Sequence, residues 1–139
     1  MQHLDRAGEF AVPGGFANYY VEHLSTSAMS VGTYCVPAGG VDDQQAHPVD
    51  EVYVVLSGTG TFESGTFESG TVGSGAVESG AVESGAVESG GRRVDVGPGT
   101  TLYVPAGERH RFLEVRTDLT VLVVFAPPYQ GRNRPGDHG

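Results

Sequence analysis

The chain has 139 residues, a formal net charge of −9, no lysine, eight arginines and one cysteine. That length holds one domain with its own core, and the acidic balance without a basic face excludes a phosphate-backbone partner. The missing lysine excludes Schiff-base and lysine general-base chemistry, and the single Cys35 excludes an intrachain disulfide and fits a reducing compartment.

Residues 1–15 contain Asp5, Arg6 and Glu9 and no apolar run, so they read as an N-terminal arm and not as a signal peptide. No stretch approaches the roughly 20 apolar residues of a membrane span. A soluble, cytoplasmic protein without membrane or nucleic-acid partners is therefore expected. The first strand is expected over Phe16–Leu24 and the second over Ser27–Val36, where Met29, Val31, Thr33 and Cys35 share one face. Pro37-Ala38-Gly39-Gly40 marks a turn, Asp42-Asp43 continues the loop, and Pro48 introduces a strand over Glu51–Leu56. Further strands are expected at Val94–Val96, Leu102–Val104, Arg109–Val115 and Thr120–Phe125. No window carries a helical stripe. Many short strands separated by Gly and Pro predict an all-β sandwich or barrel over residues 16–126, followed by a flexible tail at 127–139.

One segment has a different logic. From Thr61 to Gly90 the chain runs TFESG, TFESG, TVGSG, AVESG, AVESG, AVESG. A period of five matches neither helix nor strand, and each copy offers too little apolar surface to offset the entropy of ordering it. Removing residues 66–90 leaves GTGTFESGGRRVDVGPG, which reads as an ordinary hairpin. The repeats read as an expansion within a surface hairpin, with no chemistry of their own.

His47, Glu51 and His110 form a two-histidine, one-carboxylate set suited to a divalent transition metal such as Fe, Mn, Ni or Zn. Singly, each has a simpler reading: a solvated loop histidine, a surface acid at a strand start, a capped core histidine. The pattern around them resembles the cupin superfamily. Gly39, five residues, Gln45-Ala46-His47, three residues, Glu51, six residues and Gly58 follow the first cupin motif; Gly99, five residues, Pro105-Ala106-Gly107, two residues, His110, three residues and Glu114 follow the second. The resemblance implies a double-stranded β-helix (jelly-roll) barrel with a repetitive hairpin insertion at 61–90. It carries a metal role to His47, Glu51 and His110. Gln45 stands where the family has its first histidine, and Glu114 where it has asparagine. Three arrangements are open: a three-ligand site with further open positions, a site completed by the Gln45 amide oxygen, or no metal.

Strand alternation puts Tyr53 and Val55 on the face of Glu51, and Phe112 and Glu114 on that of His110. Tyr53 is a candidate acid/base or substrate hydrogen-bond donor; the alternative is a barrel-filling aromatic whose hydroxyl finds one partner. Val55, Phe112, Glu114 and Tyr34 are candidate pocket residues. An inward Glu114 needs a partner, such as Arg109 or Arg111 near the rim; a twist or bulge in the strand would instead turn it to solvent. The resemblance implies a small metal-dependent enzyme of dioxygenase, isomerase or lyase type acting on a small organic molecule, and a homodimer exchanging N-terminal strands. The alternatives are a small-ligand-binding or sensor barrel without turnover, or a purely structural protein.

Overall fold

Runs of β-branched and aromatic residues cut by Gly, Pro or Asp favour short strands over helices. The computed structural model describes residues 1–42, 46–65 and 91–129. Its strands are β1 (Tyr19–Ser25), β2 (Ser30–Val36), β3 (Asp50–Ser57), β4 (Gly60–Ser64), β5 (Arg92–Val96), β6 (Thr101–Val104), β7 (His110–Leu113) and β8 (Leu119–Ala126), with no helix among the described residues. They build two antiparallel sheets, β1-β2-β8-β3-β6 and β5-β4-β7. Gln45, the repeats from residue 66 to 90 and the tail beyond Tyr129 lie outside the described residues.

The inner faces of the two sheets meet in one core, and their registers stack it in rows. On the larger sheet, Ser30, Phe125, Glu51 and Val104 are paired across four strands, and Gly32, Val123, Tyr53 and Leu102 form the next row. Tyr34, Val121 and Val55 follow beneath. On the smaller sheet, Arg92, Ser64 and His110 form one row and Val94, Phe62 and Phe112 the next. The deep rows are apolar: Val55, Val121 and Leu119 have no exposure. Burying each such side chain contributes about 1.5–3 kcal/mol. Glu51 and His110 stand in the outermost rows, above these apolar ones.

Three local features differ from the expected strands. Residues 27–29 form a turn held by the Thr26 amide donating to the Met29 carbonyl at 2.8 Å, so β2 starts at Ser30. The first pentapeptide copy, Thr61–Gly65, supplies β4 itself; Phe62 and Glu63 alternate in and out as a two-residue period requires. The expected strand at 109–115 is shorter, because β7 ends at Leu113 and Glu114 adopts φ +47°. There the backbone of residues 113–115 crosses Gly60, where an added Cβ would come within 3.3 Å of the Val115 Cα.

The N-terminal arm crosses the outer face of the larger sheet. The Gly8 amide donates to Thr33 Oγ1 at 2.8 Å, and the Cys35 thiol donates to the Glu9 carbonyl at 3.6 Å. The face shared by Thr33 and Cys35 is thus buried by the arm, while Met29 at its end stays exposed.

Candidate metal centre

The two sequence motifs meet through backbone contacts. His47 lies just before β3, and its carbonyl accepts the Gly107 amide at 2.7 Å. Asp50 Oδ1 accepts the Ala106 amide at 2.9 Å. Gly107 holds φ +86°, a conformation favouring glycine, and so turns the chain into β7. Thus the Pro105–Glu108 turn is pinned to the start of β3, which brings His110 to the level of Glu51.

His47, Glu51 and His110 are each 2% exposed or less. One ligand atom from each lies within 4.8 Å of the others. His110 Nδ1 is 2.9 Å from the Glu108 carbonyl, an acceptor only, so Nδ1 carries the proton and Nε2 keeps its lone pair toward the site. The Tyr53 hydroxyl donates to that Nε2 at 2.9 Å. Glu51 Oε2 stands 3.3 Å from the same nitrogen and accepts from His47 Nδ1. Two buried atoms of these three side chains then have no hydrogen-bond partner among the described residues: His47 Nε2 and Glu51 Oε1.

This donor set fits a divalent cation. His47 Nε2 and Glu51 Oε1 are buried without a hydrogen-bond partner, Glu51 Oε2 stands 3.3 Å from His110 Nε2, and among the described residues no arginine pairs with the buried Glu51. Leaving such atoms unpaired costs several kcal/mol; an ion held by two imidazoles and a carboxylate removes that cost. Aromatic rings close the walls. Phe125 and Tyr129 pack edge-on to His47 at 5.2 and 5.0 Å, and Tyr53 lies 5.7 Å from His110. Burial, and then the charge of Glu51, push the Tyr53 hydroxyl well above the usual tyrosine range, so it holds its proton at neutral pH.

The other expected pocket residues separate by depth. Phe112 sits one row beneath His110 and packs on Tyr53 at 5.6 Å and Phe62 at 4.9 Å. Val55 and Tyr34 lie deeper still, as core; the Tyr34 hydroxyl donates to Asp42 Oδ1 at 2.6 Å. Glu114 does not join them. Its positive φ swings the side chain outward, where it is 66% exposed and 3.6 Å from Arg116, not from Arg109 or Arg111.

Sequence reasoning did not find Asp42, Phe62 or Tyr129. Buried Asp42 also accepts the Phe112 amide, tying the first-motif loop to β7. Nothing in a loop reading distinguishes it from its neighbour Asp43. Phe62 was hidden by the repeat it belongs to, and Tyr129 by its position beyond the last strand.

No protein-family model matches the chain. An uncharacterized protein of Streptomyces coelicolor, SCO3923, is 36% identical over 109 residues, covering 78% of this chain and 80% of that protein. Two solved structures share the fold. One is an uncharacterized conserved Klebsiella pneumoniae protein with a double-stranded β-helix domain (TM-score 0.62, 15% identity, covering 91% of this chain and 89% of that one). The other is an RmlC-like cupin from Desulfovibrio desulfuricans (TM-score 0.59, 18% identity, 92% and 98%). With two motif histidines and a glutamate converging at the mouth of the barrel, the chain has the double-stranded β-helix fold of cupin proteins and belongs to one family with the Streptomyces coelicolor protein.

Proposed function

We propose that the protein is a metal-dependent enzyme that converts a small organic molecule at the barrel mouth, with His47, Glu51 and His110 holding one divalent transition ion. The observation that carries this reading is the pair of buried, unpartnered atoms, His47 Nε2 and Glu51 Oε1, beside a His110 tautomer fixed by Glu108. Such an ion would supply Lewis-acid polarisation of a bound oxygen. The protein's own residues do the rest. The Glu108 carbonyl orients the His110 ring, and Phe125 and Tyr129 keep water from the His47 side. Tyr53 retains a proton on its phenol oxygen, poised to donate to a substrate oxyanion.

One observation favours the second reading, a ligand-binding barrel without turnover. Glu51 Oε2 already bonds His47 Nδ1 and the Tyr53 hydroxyl already bonds His110, so part of the network closes on itself. Metal analysis after refolding with Fe, Mn, Ni or Zn separates the two. Stoichiometric metal that disappears in His47→Ala and His110→Ala supports the enzyme; its absence with every ion rejects it.

A further inference from the structure

We infer that the substrate is a small organic anion, and that Arg92 recognises its acid group across the sheet from the metal centre. The inference rests on the reading above for where the rest of the molecule sits. Arg92, Ser64 and His110 are register partners in one row of the smaller sheet. Arg92 shares the strand face of Val94 and Val96, the face that enters the core, so it belongs to the inner side of the barrel. Neighbouring strands lie about 4.8 Å apart, so Arg92 and His110 Cα atoms are separated by about 10 Å. That is the span of a short carbon chain with a polar group at each end.

A cleft lies beside Arg92. β5 and β6 are each an edge strand of their sheet, and they leave a cleft of about 300 Å³ between them. Phe62, Val94, Leu102 and Val104 form apolar walls, and Ser64 and Arg92 contribute polar groups. Phe62 stands 6.0 Å from the His110 ring, so the cleft and the metal centre share one wall. No acid lines the cleft among the described residues. The adjacent cations are engaged: Arg93 and Arg111 both donate through Nε to buried Glu63 at 3.0 Å on the opposite face. Arg92 makes no ion pair among the described residues, and its planar fork suits a carboxylate. In a chain of net charge −9, Arg92 is the one charged side chain lining this cleft among the described residues, and its guanidinium favours an anion there.

The test is a titration of the Co²⁺-treated full-length protein with succinate and, separately, succinamide. The Arg92 Nε–H resonance is followed by NMR and the cobalt absorption band by visible spectroscopy. Succinate should shift the arginine resonance and succinamide should not. Arg92→Gln should weaken succinate binding about tenfold or more, and Arg92→Lys should retain part of it, at unchanged melting temperature. An unmoved Arg92 resonance, or equal binding by the two compounds, overturns the inference whether or not cobalt binds. A missing cobalt band alongside a succinate-specific arginine shift rejects the metal reading and leaves the anion site standing.

Discussion

Removing residues 66–90 should stabilise the protein. The deletion joins Gly65 to Gly91 and leaves Ser64-Gly65-Gly91-Arg92, a two-residue hairpin between strands already paired at Ser64 and Arg92. A two-residue hairpin loop of type I′ needs positive φ at both central positions, which glycine supplies without strain. Gly65 and Gly91 already hold φ +98° and +80°. Their backbones are also in contact, since a Cβ built on Gly65 would lie 2.7 Å from the Gly91 Cα. The ends therefore need little movement to be joined. Shortening the closed loop roughly thirteenfold removes about 2 kcal/mol of closure entropy. In urea this should raise the unfolding midpoint by about 1–2 M, taking a slope of roughly 1–3 kcal/mol/M. Deleting one pentapeptide should change stability by only about 0.2 kcal/mol, because the cost grows with the logarithm of length. Metal content and the Arg92 response to succinate should be unchanged. A lowered midpoint on deletion would refute the reasoning, because it would mean that the repeats contribute packing to the barrel.

Further outcomes follow from single side chains. Zn²⁺ or Ni²⁺ at a hundred times its Kd should stabilise the protein by about 2.7 kcal/mol in thermal unfolding, and Glu51→Gln or His110→Ala should abolish the gain. Tyr53→Phe keeps the ring against Phe62 and Phe112 but removes the proton donor to His110; turnover should fall by about 10²-fold or more while metal stoichiometry holds. Gly58→Ala should destabilise by about 2–5 kcal/mol in urea unfolding, because the position has φ +91° and the new Cβ would meet the Asp118 carbonyl oxygen at 2.1 Å. Burial under the arm raises the Cys35 pKa above its ordinary 9.0, so the folded state keeps the proton that the unfolded state releases. That stabilisation is complete below pH 9 and is lost as pH rises through the folded pKa. Alkaline unfolding should therefore occur at higher pH in Cys35→Ala, once its neutral-pH stability is matched.

What the sequence made legible divides along physical lines. The convergence of His47, Glu51 and His110 was readable because each motif is local: spacing within one turn and one strand places His47 four residues before Glu51, and Gly107 three before His110. The face of Tyr53 was readable for the same reason, since alternation within β3 depends on nothing outside it. Glu114 failed where alternation stopped being local. Its direction is set by the backbone crossing Gly60 on another strand, and no period within 109–115 encodes that crossing. Arg92 was illegible in the same way but for the opposite reason: its alternation is regular, yet its relation to His110 exists only in the register of β5 and β7 on β4. The repeats sit between those strands in the sequence and concealed the pairing, because their first copy is β4. Cross-strand register is fixed by which faces can be buried together. The Phe62 row, flanked by Val94 and Phe112, is buried against Tyr53, and a one-residue slip would put Phe62 on the face of Arg93 and Arg111 and Glu63 in the apolar core. The same apolar row that sets the register therefore places Arg92, Ser64 and His110 side by side one step above it.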